Sequence, residues 1–477
     1  MHPRDISNII KRLFEHEPTT GQHLLIDMLA EFLNKPSKNA FIIKGYAGTG
    51  KTTVVSALVK SLPYLGKKAV LLAPTGRAAK VLSEYSKQQA FTIHKKIYRI
   101  KSTKDGHSFL SLQENKHKNT LFIVDEASMI PDFNSTKETS LFSDRSVLED
   151  LIFYINEGVG CSLILIGDTA QLPPVGTDVS PALNKEYLNA SYHIEFTECE
   201  LTEVVRQAKE SGILSNATLL RDMINEEDYN LPFFDTDGFV DIQRISGAEL
   251  EESLNDSYSR GGRENIVIIC RSNKRANIYN QEIRKRILFQ ENEISTGDYM
   301  MVLKNNYFWL PEESETGFIA NGDIIEILKI KKTEEIYGYR FADVTVRLID
   351  YPDEKDLEVK IMLDTIMLET PSLNYTESRK LWDEIMLDFQ DVPLKRNKML
   401  KVKNSPHLNA LQVKFAYSLT CHKTQGGQWD TVYVDQGYIT KEMINTEYLR
   451  WLYTATTRAV KKLYLINFND YYFRNNH

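Results

Sequence analysis

Phe41-Ile-Ile-Lys-Gly-Tyr-Ala-Gly-Thr-Gly-Lys-Thr-Thr53 is the stretch from which the rest of the chain is read. Phe41, Ile42 and Ile43 read as a buried strand. Gly45, Tyr46, Ala47, Gly48, Thr49 and Gly50 form a glycine-rich turn, and Lys51, Thr52 and Thr53 open an amphipathic helix running to about Leu62. Strand, G-x-x-x-x-G-K-T and helix in that order are a phosphate-binding loop in its required context. The glycines let successive backbone N–H groups turn inward around an anion, and the helix N-terminus adds partial positive charge there. Lys51 is placed to reach the β- and γ-phosphates of a nucleotide and the Thr52 hydroxyl to hold Mg²⁺.

The 477 residues suffice for two to four domains. A composition 42% hydrophobic and 26% charged is that of a soluble globular protein. No apolar run reaches the length of a membrane span, and Met1 to Lys11 lacks the apolar core of a signal peptide. Cys161, Cys199, Cys270 and Cys421 lie far apart, which argues against a zinc site or disulfide framework and for a reducing, cytoplasmic setting. The net charge of −7 looks wrong for a nucleic-acid binder, but the charge is segregated. Between Asp391 and Asp430 there is no acid, while Lys395, Arg396, Lys398, Lys401, Lys403, Lys414 and Lys423 are present. Between Glu84 and Asp105 there is again no acid, but six Lys or Arg residues from Lys87 to Lys104.

Buried strands are expected at Phe41–Ile43, Lys68–Leu72, Leu121–Val124 and Leu163–Ile166, each ending in a polar signature. Alternating with helices, they describe an open parallel sheet with its site at the strand C-termini. Arg99 to Asn119 reads as a protruding hairpin with a Lys104-Asp-Gly106 turn. A second α/β unit begins near Leu201. It is interrupted by a stretch of period-two alternation (Tyr299–Leu303, Ile324–Ile330, Ala342–Ile349, Leu357–Leu363) that suggests a small antiparallel barrel, followed by a helical arm. The expected fold class is α/β: two RecA-like motor domains with a small SH3-like β-barrel and helical arm inserted in the second. The boundaries are 1–200 for the first domain, 201–296 with 404–477 for the second, and 297–403 for the insertion.

Asp125 and Glu126 follow a hydrophobic strand downstream of the loop: Asp125 for Mg²⁺, Glu126 to polarise the attacking water. Gln171, in a polar loop after another strand, is placed to touch the γ-phosphate or that water. Phosphoryl transfer builds charge that arginines from a neighbouring domain stabilise; Arg206 and Arg458 are the candidates.

The ordered set Thr20-Gly-Gln22, GYAGTGKTT, APTGRAAK, TIHK, VDEAS, GDTAQLPPVG, LTEVVRQ, FIANGD, YSLTCHKTQGGQWD and YTATTRA resembles the superfamily 1B DNA helicases of the RecD, Dda and Pif type, most closely the compact Dda-like members. The resemblance covers essentially the whole chain, and TIHK and HKTQG are its most specific parts. It implies an ATP- and Mg²⁺-dependent 5′→3′ single-stranded DNA translocase and helicase acting as a monomer at single-strand/duplex junctions. An ATP-switched single-strand clamp that does not unwind is the alternative. It further implies that Gln22 contacts adenine. Gln428 stands where relatives often carry a glutamate to the ribose. Pro74, Thr75, Thr92, His94, Thr420, His422, Lys423 and Gln425 match positions lining the single-strand track. Phe91, Tyr98 and Tyr417 are candidates for stacking on bases, with core packing the favoured reading for Phe91 and Tyr417. The hairpin is the expected duplex-splitting pin, with Phe109 near its tip, and the segment Leu381–Lys403 an arm over the strand.

Overall fold

The run Phe41–Ile43 forms the middle of the strand Ala40–Gly45, and its alternating side chains serve both faces of one sheet. Phe41 and Ile43 pack with Leu71, Ile123 and Ile164 against the N-terminal helices. Ile42 points the other way, with Leu72, Val124 and Leu165, against the helix Val147–Glu157. A strand covered on both faces has to be apolar at every position, as a parallel sheet requires. The structure is a computed structural model and describes residues 1–35, 39–102, 108–132, 146–205, 210–310 and 317–473.

The first sheet is six-stranded and parallel, in the order Ala90–Thr92, Lys68–Ala73, Thr120–Val124, Ser162–Gly167, Ala40–Gly45, Phe196–Leu201. Gly45, Ala73, Thr92, Val124 and Gly167 therefore end on one edge, where the loops carrying the polar signatures collect. The second sheet is five-stranded and also parallel, in the order Ser418–Thr420, Ile266–Cys270, Trp429–Asp435, Ala459–Ile466, Ile242–Ile245.

Five strands, Tyr299–Val302, Ile324–Ile336, Tyr339–Leu348, Leu357–Met362 and Leu411–Phe415, close a barrel. All pairings in it are antiparallel except that of Leu357–Met362 with Leu411–Phe415. The fifth strand corrects the boundary drawn at 403: the inserted unit runs to Phe415. The helices Tyr375–Leu387 and Lys395–Lys403 are thus a connection between the last two barrel strands. They pack on Phe341 and Met362 through Leu381, Ile385 and Val402.

The hairpin is shorter than expected. Its strands are Tyr98–Ser102 and Ser108–Leu112, with Phe109 opposite Lys101, and the turn at Lys104 lies outside the described residues. Residues 113–119 belong to the domain wall: Asn115 is buried and donates to the Tyr154 carbonyl at 2.8 Å. The expected helix Asn273–Leu288 is α-helical over Asn273–Glu282 and continues as a π turn over Ile283–Ile287. The four cysteines are buried and unpaired. No helix among the described residues is long and apolar enough to cross a membrane.

Candidate functional site: the cleft between the two domains

Gly48 and Gly50 take positive φ (75° and 78°) in the loop after the first strand, a region open to glycine without strain. A Cβ on Gly50 would also stand 2.4 Å from Gln22 Nε2. Gln22 is buried. It closes a capping box with Thr19, Thr19 N–H donating to its Oε1 at 2.9 Å, and its Nε2 donates to the Thr49 carbonyl at 3.0 Å. The residue expected at adenine is therefore also a brace between an N-terminal helix and the loop. Lys51 Nζ donates to the Gly45 and Tyr46 carbonyls, the latter at 2.9 Å. Lys51, Thr52 and Thr53 form the first turn of the helix Lys51–Ser61, with Thr52 exposed.

Asp125 and Glu126 leave the neighbouring strand edge. Tyr85 donates to Asp125 Oδ2 at 2.6 Å, and Glu126 N–H donates to Asp125 Oδ1 at 2.9 Å. Two bonds leave a carboxylate with lone pairs to spare, so Asp125 with the Thr52 hydroxyl fits a hard, oxygen-seeking cation such as Mg²⁺. Glu126 is left-handed (φ 52°) without being glycine, a conformation that costs about 1–3 kcal/mol and is held only where its surroundings enforce it. Enclosure in the cleft raises its carboxyl to about 6; Arg458 opposes this and Asp125 adds to it. Gln171 is buried, and its Oε1 has no hydrogen-bond partner among the described residues. It borders a cavity of about 210 Å³ lined also by Ser128, Asp168, Asn184 and Arg450.

The second domain reaches into the same cleft through the helix Thr446–Thr456. Tyr453 donates to Asp168 Oδ2 at 2.6 Å and accepts from Ala47 N–H of the glycine loop at 2.8 Å. Thr454 Oγ1 accepts from Leu172 N–H at 2.9 Å. Arg458, 4% exposed, is aimed by bonds to the carbonyls of Thr454 and Gly427, and its Nη1 stands 3.9 Å from Glu126 Oε1. The two domains share an apolar core here, Tyr46, Ala170 and Leu172 packing with Trp451, Leu452 and Tyr453. Arg206 lies outside the described residues. Gln428 is exposed; its carbonyl accepts from Arg77, whose guanidinium lies 4.0 Å over the Trp429 ring.

The residues expected on the strand track separate into two groups. Thr75 and Thr92 cap helix N-termini, accepting from Ala78 and Lys95 N–H at 3.2 Å each, beside Pro74. His94 packs between Tyr98 and Phe318, a barrel residue; burial lowers its imidazole to about 4, so it is neutral at physiological pH. Across the cleft Thr420 starts the short helix Cys421–Thr424, His422 is exposed, and Lys423 donates to Asn321 of the barrel at 2.7 Å. Gln425 is different: it is buried and donates to the Leu172 carbonyl at 2.6 Å, on the nucleotide side of the cleft. Tyr417, a stacking candidate, is a core residue, 1% exposed, bonded to Asp298 and stacked on Phe415. Tyr98 donates to Asp150 at 2.7 Å, and Phe91 is half-buried beneath Lys95 and Lys96.

Sequence reasoning missed Tyr453, Asp168, Tyr85 and Arg450. Tyr453 and Asp168 stand inside the motifs YTATTRA and GDTAQLPPVG, so the signal was present, but neither residue type announces a role by itself.

A glycine loop, a strand-end Asp-Glu pair and an arginine delivered from a second parallel-sheet domain define a two-domain P-loop protein of the motor type. An AAA domain model matches residues 26–243 and a UvrD-like helicase C-terminal domain model matches residues 415–466. The chain is 27% identical to the uncharacterized protein R530 of Acanthamoeba polyphaga mimivirus, over 93% of this chain and 98% of that one. It is 26% identical to the ATP-dependent DNA helicase dda of Enterobacteria phage T4, over 87% of this chain and 92% of that one. It is 31% identical to the ATP-dependent RecD2 DNA helicase of Deinococcus radiodurans, over 37% of this chain and 21% of that one. The chain thus joins an AAA domain to a UvrD-like helicase C-terminal domain and is similar over most of its length to an ATP-dependent DNA helicase.

Proposed function

We propose that the protein is an ATP-driven single-stranded DNA translocase and helicase that moves 5′→3′ and works as a monomer. The observation that carries this reading is the approach of buried Arg458 to Glu126, because it joins the two domains at the atoms where hydrolysis would occur. ATP is taken as substrate by the loop Gly45–Thr53, with Lys51 on the β- and γ-phosphates and Gln22 and Gln428 toward adenine and ribose. Bound Mg²⁺, held by Thr52 and Asp125, would neutralise charge on the phosphates.

Glu126 accepts a proton from the attacking water. Gln171, with its open Oε1, orients that water. Arg458, with Arg206 assigned from sequence alone, stabilises the charge that builds on the phosphoryl oxygens. Because Tyr453, Thr454 and Arg458 lie on or just after one helix, gain or loss of the γ-phosphate would shift the second domain against the first. Pro74, Thr75, Thr92 and His94 on one domain and Thr420, His422 and Lys423 on the other would then grip single-stranded DNA in alternation. Hydroxyls, amides and backbone N–H groups suit phosphates, which position a strand without reading its sequence.

The test is ATP hydrolysis with and without single-stranded DNA, for the parent, Lys51→Ala and Glu126→Gln. Hydrolysis that rises with single strands in the parent and is lost in both variants supports the reading. Turnover indifferent to DNA and driven by a small-molecule acceptor overturns it.

A further inference from the structure

The acid-free window between Glu84 and Asp105 folds into two faces, and the track uses only one. Residues two apart on a helix point to nearly opposite sides. In the helix Ile93–Ile97, His94 faces Tyr98 and the barrel's Phe318, while Lys96 lies over the Phe91 ring at 5.3 Å. On the Lys96 side opens a cavity of about 400 Å³ lined by Phe91, Lys96, Arg99, Lys116, His117 and Tyr154. Exposed Glu114 is the one acid among its lining residues. Lys96, Arg99 and Lys116 make no ion pair among the described residues.

The wall is rigid. Gln113 donates from its backbone to Ile97 and from its amide to the Tyr98 carbonyl at 2.6 Å. Asn115 anchors the loop to Tyr154, and the His117 ring stands edge-on to Phe122. Burial lowers the His117 imidazole first, and the nearby Lys96 and Lys68 lower it further. Positive charge concentrated on one surface, with Glu114 the one acid in its lining, suits a polyanion.

The place says which polyanion. Arg99 lies in the first hairpin strand and Gln113 directly follows the second, so the cavity sits at the hairpin base, and His94 is not among its lining residues. We propose that this cavity binds the phosphodiester backbone of the strand that is not on the track at a single-strand/duplex junction. The hairpin then stands between two phosphate-binding surfaces, one for each strand. The inference rests on the motor reading above.

The experiment measures binding by fluorescence anisotropy, across a salt series, to three DNAs: a 5′ single strand, a 5′-tailed duplex, and the same duplex bearing a 3′ arm. Parent protein is compared with Lys96→Glu/Lys116→Glu. The parent is expected to bind the 3′-armed junction more tightly than the others and with a steeper salt slope. The variant should lose that advantage, about tenfold or more in affinity and a slope reduction of about 1.8 for two phosphate contacts. Its single-strand affinity and strand-stimulated ATP turnover should stay at the parent level, which also shows that it folds. The parent's salt slopes test the same point without any variant: equal slopes on armed and unarmed duplexes overturn the proposal. An unchanged arm preference in the variant also overturns it, and leaves the cavity to a partner other than nucleic acid. Equal losses on single strand and junction overturn it by placing the cavity on the track. Failure of the motor reading is told apart, because the parent would then show no strand-stimulated hydrolysis.

Discussion

Tyr453 and Asp168, 285 residues apart in the chain, share a buried hydrogen bond of 2.6 Å, and the same hydroxyl receives the Ala47 N–H. One phenol thus ties the second domain to both the glycine loop and the loop carrying Gln171. A hydrogen bond to a charged group contributes about 1.5–3 kcal/mol, and a buried partner left alone costs its desolvation. Tyr453→Phe and Asp168→Ala are expected to destabilise non-additively, with a coupling of about 1–3 kcal/mol in a denaturant-unfolding cycle. Additivity to within about 0.5 kcal/mol would contradict a direct tie.

Glu126 supplies a pH dependence. Its carboxyl is raised to about 6 by burial, against the pull of Arg458. Water activation needs the carboxylate, so strand-stimulated ATP turnover should fall about tenfold per pH unit below that value. A profile whose acid limb sits at the ordinary carboxylate value, about 4.3, is the outcome that disagrees.

Tyr85 orients Asp125 from behind. Outer partners of metal-binding groups typically matter by about 10–100-fold in affinity. Tyr85→Phe should therefore raise the Mg²⁺ concentration needed for half-maximal ATP turnover by about tenfold or more, with little change at saturating Mg²⁺. An unchanged Mg²⁺ titration would remove Tyr85 from the site.

What was legible in the sequence, and what was not, follows from how local each feature is. The strand at Phe41–Ile43 and its glycine turn declare themselves within a dozen residues. The strand Phe196–Leu201 does not, because Glu198 and Glu200 interrupt it; it is one of the two edge strands, where Glu198 pairs with Lys44 at 2.8 Å. Leu411–Phe415 does not declare itself locally because barrel closure is a long-range event: its partners start at Tyr299 and Leu357. Tyr417 is the opposite case: an aromatic beside a basic window can pass for a stacking platform, but the core packing favoured for it is what the structure shows. Tyr453, Asp168 and Tyr85 gain their meaning only from contacts across the fold.

Asp323 links the barrel to the first domain. Its carboxyl oxygen would stand 2.9 Å from a Cβ at Gly76. Burial raises its carboxyl to about 8; the Ala320 N–H opposes the shift, Asp350 adds to it and Lys95 opposes it. A folded-state value above the unfolded one, about 3.9, means stability complete below the unfolded value and lost as pH rises through the folded one. Asp323→Asn removes this titration. The melting temperature of the parent, relative to the variant, should fall between about pH 4 and pH 8 and level off above that. Parallel melting profiles would contradict a protonated Asp323.

The most direct measurement is ATP-dependent unwinding of a duplex with a 5′ single-stranded tail beside the same duplex with a 3′ tail, with Lys51→Ala as control. Separation of the 5′-tailed duplex alone, abolished in Lys51→Ala, is the expected result and establishes motor and direction together. Separation of the 3′-tailed duplex alone would contradict the direction. Separation of neither, with ATP hydrolysis still stimulated by single strands, would contradict the helicase and leave an ATP-switched clamp.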